Sequence, residues 1–179
     1  MNTTQSTGSS SVQPFPGQLR LKRILVPIDF SEPSKKALSY AVPFAESFGA
    51  RVDLIHVVEP TYYPAEMTYM SGEMANLEVV VEKNARLQLE TLAGEVIPNQ
   101  FRGEITIHTG VPFKEIAGTA KELELDLIII STHGYTGLKH LFMGSTTERV
   151  VRIAPCPVLT VREQEHEFVG LAEPQRAAA

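Results

Sequence analysis

One cysteine, Cys156, stands in a chain of 179 residues. It has no intrachain partner for a disulfide, and nothing around it in the sequence would activate a thiol. No run of consecutive basic residues is longer than Lys35-Lys36, and 16 Lys and Arg face 21 Asp and Glu, a net charge of −5. Nucleic acid and anionic membrane are therefore not the expected partners, because both need a dense basic patch. No apolar run comes near the ~18 residues that cross a bilayer. The first basic residue is Arg20, and the N-terminal segment has no apolar core of the secretory type. The expected location is cytoplasmic.

The signatures of several chemistries are missing as well. Gly-x-Ser-x-Gly does not occur, so Ser131, His133 and Asp29 lack the turn that a hydrolytic serine needs. No lysine follows Gly144, which excludes a Walker A loop. A phospho-accepting receiver domain needs an acidic residue at the end of its third strand and a lysine near its fifth, where this chain has Thr109-Gly110 and Cys156-Pro157. His56, His108, His133 and His140 pair with no other ligand type at helical spacing, so no metal site is expected. No dedicated carboxylate cage for Mg²⁺ is visible either.

What the chain does contain is a regular alternation of strand and helix patterns, within one domain over residues 21–162. Residues 1–20, rich in Ser, Thr, Gln and Gly, are expected to be a disordered tail, and 163–179 a flexible one. Ile24 to Asp29 reads as a first strand, with Pro27 near its C-terminal end where a missing N–H does least harm. Ser31-Glu32-Pro33 opens a helix whose apolar positions Ala37, Ala41, Phe44, Ala45 and Phe48 share one face. Pro43 predicts a kink in it, and Gly49 closes it. Arg51 to Val58 is a second strand. The proline- and tyrosine-containing stretch 59–71 is long enough to be a lid or a surface excursion. Leu77 to Val96 carries a long helix, Glu104 to His108 a third strand, and Phe113, Ile116, Ala117 and Ala120 the inner face of the next helix.

Leu127 to Ile130 is a continuous apolar run, as a strand covered on both faces requires. It leads into a loop with Gly134 and Gly137, then Gly144. Ser145-Thr-Thr-Glu148 fits a capping box with Ser145 as N-cap. A short helix to Ile153 and a fifth strand, 157–161, complete the pattern. The expected fold is α/β, a five-stranded parallel sheet with helices on both faces. A strand, a glycine loop and a fresh helix N-terminus together present backbone N–H groups to an anion.

The stretch Ser131-Thr-His-Gly134, nine residues, Gly144-Ser145 resembles the Gly-x2-Gly-x9-Gly-(Ser/Thr) signature of the universal stress protein family. Ser131 stands where that signature has its first glycine. The resemblance covers nearly all of 21–162 and implies strand order 3-2-1-4-5, ATP or another adenine nucleotide as ligand, and any Mg²⁺ carried on its phosphates. It implies that Asp29 bonds the adenosine, that Val57 helps hold base and ribose, and that Gly134, Gly144 and Ser145 take the phosphates. Ser131 is the imperfect match in that set, and the facing strand ends add Pro27 and Ile28 to the crevice. Thr132 and Thr146 either donate hydroxyls to phosphate or satisfy local backbone, and no catalytic residue is expected. The expected function is a nucleotide-dependent regulatory switch; a slow ATPase and a nucleotide-free dimeric interaction module are the alternatives. The uncharged edge strand 157–161 predicts a homodimer across a two-fold axis.

Overall fold

The computed structural model describes residues 19–60, 71–132 and 143–162. Apart from residues 19–20, the expected tails lie outside the described residues, as do residues 61–70 of the 59–71 stretch and loop residues 133–142, with His133, Gly134 and His140. Strands β1 (Arg23–Pro27), β2 (Arg51–Val58), β3 (Arg102–Thr109), β4 (Leu127–Ser131) and β5 (Val158–Val161) form one sheet. Its order is β3-β2-β1-β4-β5, and every neighbouring pair is parallel. Helices α1 (Glu32–Phe48), α2 (Ser71–Val96), α3 (Pro112–Glu122) and α4 (Ser145–Ile153) make the crossovers.

The pleat sends alternate residues of β1 to opposite layers. Ile24 and Val26, with Ile28 just past the strand, pack with Leu38, Ala41 and Ala45 of α1, Leu89 and Ala93 of α2, and Ile97 just after α2. Leu25 packs on the other face with Ile55, Ile128, Ile130, Ile116 of α3 and Val150 of α4. Helices thus cover both faces, and the run Leu127–Ile130 of β4 is apolar throughout because neither face meets water. Full burial of one such side chain, Leu38 for example, contributes about 1.5–3 kcal/mol.

The helix ends are set locally. Ser31 caps α1 by accepting from the Ser34 N–H, and Gly49 ends it at φ 67°, a left-handed conformation that favours glycine. α1 runs to Phe48 as one helix with Pro43 inside it. Two elements are longer than their sequence patterns: α2 begins at Ser71 rather than near Leu77, and β3 spans Arg102–Thr109. At the start of the sheet, Asp53, 1% exposed, accepts from Arg23 Nε and Nη2 at 3.0 and 2.8 Å and from the Glu104 N–H at 2.7 Å. Asp53, with Glu104 beside it, holds the Arg23 guanidinium above its ordinary pKa despite partial desolvation.

Candidate functional site

The crevice opens where β1 and β4 part. Only Ile24–Leu127 and Leu25–Ile128 are paired between them. The N–H of Ile28 donates to Ile55 of β2 at 2.8 Å, so the next residue back, Pro27, faces β4. Proline has no N–H to extend that ladder. The proline read from the sequence as a strand-end residue therefore stands where the sheet splits, at the switch in strand order that α/β folds use for ligands.

The other wall is the start of α4. The sequence pattern puts the cap at Ser145, but the N-cap is Gly144, in extended conformation and with no side-chain cap, and Ser145 is the first helical residue. The reason is a pair of contacts to β4. The Gly144 N–H donates to the Thr132 carbonyl at 2.7 Å, and Thr147 Oγ1 donates to the Ser131 carbonyl at 2.7 Å in a buried environment. A Cβ on Gly144 would lie 3.1 Å from that Thr132 oxygen, so glycine permits the close approach. Glu148 N–H returns to Gly144 O at 3.0 Å, while the N–H groups of Ser145, Thr146 and Thr147 have no partner among the described residues. They carry the positive end of the helix dipole, roughly half a charge.

The third wall is the turn after β1. Asp29 Oδ1 accepts from both the backbone N–H (3.1 Å) and the hydroxyl of Ser31. Phe30 has φ 64°, a left-handed conformation that costs a non-glycine residue about 1–2 kcal/mol. Its ring meets that of His56 at 4.7 Å between centroids, and His56 Nδ1 lies 2.7 Å from the Ile28 carbonyl oxygen. A carbonyl only accepts, so Nδ1 carries the hydrogen.

These walls enclose a cavity of about 230 Å³. Of the residues expected from the sequence, Pro27, Ile28, Asp29, Val57, Ser131, Gly144, Ser145 and Thr146 line it. Thr132 does not: it is 2% exposed, and its backbone bonds Gly144 and, through its N–H, the Val161 carbonyl at 2.8 Å. Gly134 falls outside the described residues. Sequence reasoning missed Ser34, Ile55, His56, Glu59, Pro112, Ile116, Ile130 and Thr147, which also line the cavity. Ile55, Ile116 and Ile130 looked like plain core, and only their nearness to strand or helix ends could have marked them. Chemically, the cavity combines apolar walls, the carboxylates of Asp29 and Glu59, and helix N–H groups that have no partner among the described residues. It is built for a ligand with an apolar ring, hydroxyl or amino donors, and an anionic end.

The model of the Universal stress protein family matches residues 20–162. A universal stress protein of Methanocaldococcus jannaschii is 33% identical over 157 residues, covering 84% of this chain and 88% of the relative. The solved universal stress protein UspA from Lactobacillus plantarum superposes with a TM-score of 0.67 at 28% identity, over 81% of this chain and 100% of that one. A family protein from Arabidopsis thaliana, solved with AMP bound, shares the fold with a TM-score of 0.54 at 19% identity, over 80% of this chain and 92% of its own. The family signature, the strand order and the matched span agree, and the chain belongs to the universal stress protein family.

Proposed function

We propose that the crevice binds an adenine nucleotide, ATP in the working form, and that the protein acts as a nucleotide-dependent regulatory module. One observation carries the reading: an apolar-walled cavity at the split between β1 and β4 meets a helix N-terminus whose first three N–H groups have no partner among the described residues. The base lies between the apolar side chains, ribose hydroxyls donate to Asp29, and the phosphates meet Ser145, Thr146 and Thr147. Gly134 and Ser131 belong to the phosphate end in this reading. Mg²⁺ arrives as the counterion of the phosphates. No catalytic residue is assigned. The AMP held by the Arabidopsis relative supports adenine as the base that this fold accepts.

Titration calorimetry with ATP, GTP and adenosine in the presence of Mg²⁺ tests this. ATP binds more tightly than GTP, and adenosine more weakly than ATP by the phosphate contribution. No heat with ATP or GTP, at protein concentrations able to detect ~100 μM affinity, would favour the nucleotide-free interaction module instead.

We also propose that the protein works as a homodimer through β5. β5 is an edge strand of the sheet, reading Val158-Leu-Thr-Val161, and among the described residues one row of its backbone donors and acceptors is open. Just before it in the chain, Val151 and Ile153 of α4 are exposed large apolar side chains. A two-fold axis would pair the strand with its own copy.

A further inference from the structure

The β1–β2 ladder ends one rung short, and a side chain takes the missing rung. Along a strand the N–H and C=O of one residue point to the same edge, and successive residues alternate. Because Ile55 accepts from the Ile28 N–H at 2.8 Å, both Ile55 and Val57 turn their backbone groups toward β1. A further rung would run from the Val57 N–H to the Ile28 carbonyl. That bond is not made among the described backbone pairs; the carbonyl bonds His56 Nδ1 at 2.7 Å instead. Val57 lines the cavity, so its N–H and C=O are left facing the crevice.

We propose that His56 is a positioning residue for the base end of the site, holding the Ile28 carbonyl so that the Val57 backbone is left to the ligand and Asp29 is aimed at it. The proposal rests on the adenine-nucleotide reading above. Two further contacts fit it. The His56 ring lies against Phe30 at 4.7 Å, and Phe30 is the residue forced to φ 64° immediately after Asp29. The Ser31 N–H and hydroxyl then fix the Asp29 carboxylate from the other side. One imidazole thus sets both the end of the ladder and the direction of the turn. A backbone N–H beside a C=O, both at the crevice, suits the edge of a ring that carries an acceptor next to an amino donor.

The test uses the full chain, adenosine and ATP as probes, and the variants His56→Leu and His56→Asn. Asn carries an N–H donor in the place of Nδ1, and Leu has none. His56→Leu should weaken adenosine and ATP by the same factor, at least fivefold, and His56→Asn should recover most of that loss. Amide hydrogen exchange supplies a readout without ligand: the Val57 N–H should exchange fast in the wild type and slow in His56→Leu, where the released carbonyl can accept it. A lower melting temperature with adenosine affinity unchanged would reduce His56 to a fold residue and overturn the proposal. If the wild type binds neither probe, the nucleotide reading fails by itself; Val57 exchange that is alike in wild type and His56→Leu then overturns the role of His56 as well.

Discussion

The Gly144 N–H donates to the Thr132 carbonyl at 2.7 Å, joining the cap of α4 to the residue just past β4. That N–H, which the signature would assign to phosphate, is already engaged. The first prediction follows from the 3.1 Å approach of a Cβ to the same oxygen. The backbone of Gly144, φ −65° and ψ 149°, suits alanine, so only the contact resists. Gly144→Ala should lower unfolding stability by about 1–3 kcal/mol and weaken ATP less than tenfold. Urea unfolding and calorimetry on the variant separate the two effects.

Thr147→Val keeps the shape of a buried side chain and removes the donor to the Ser131 carbonyl. Loss of this hydrogen bond should cost about 0.5–1.5 kcal/mol. Thermal unfolding measures it, and an unchanged melting temperature would show that the bond does not anchor α4.

Asp53→Ala removes two hydrogen bonds from the Arg23 guanidinium, which keeps Glu104 at 3.2 Å. Hydrogen bonds to a charged group contribute about 1.5–3 kcal/mol, and chemical denaturation should register a loss of that order. Gly103→Ala should destabilise through the same site, because its Cβ would collide with the Asp53 carboxylate and lie 2.9 Å from the Val52 carbonyl.

Leu159→Asp places a charge on the open edge strand. If β5 pairs with its own copy, light scattering gives the dimer mass for the wild type and the monomer mass for the variant. One mass for both proteins would rule against that interface.

Burial, helped by Asp126, pushes the Cys156 thiol above its ordinary pKa. The folded state therefore favours the neutral thiol: its share of stability is present below the unfolded thiol pKa and is lost as pH rises through the folded value. Each unit of elevation lowers the thiolate fraction about tenfold. Iodoacetamide should label Cys156 more slowly than glutathione at pH 8, and denaturant should abolish the difference.

Much of this protein is legible residue by residue, because strand and helix periods, caps and strand-end prolines are local. The continuous apolar run Leu127–Ile130 requires a strand covered on both faces, and the structure places it beside β1. Pro27 marked a strand end, and Ser31 and Gly49 marked the limits of α1. The strand order came from the family signature, since nothing in the spacing of strands orders them.

Tertiary contact alone decided the rest. Ser145-Thr-Thr-Glu148 fits a capping box, yet the helix starts one residue earlier because Thr147 and Gly144 are tied to the end of β4. Thr132 reads as a hydroxyl for the ligand, and its place beside β5 buries it outside the cavity. His56 reads as an ordinary strand residue; only the parting of β1 from β4 and the left-handed turn at Phe30 bring its ring to the Ile28 carbonyl. Such roles depend on which backbone group a neighbouring strand leaves unpaired, and that pairing joins residues 28 positions apart.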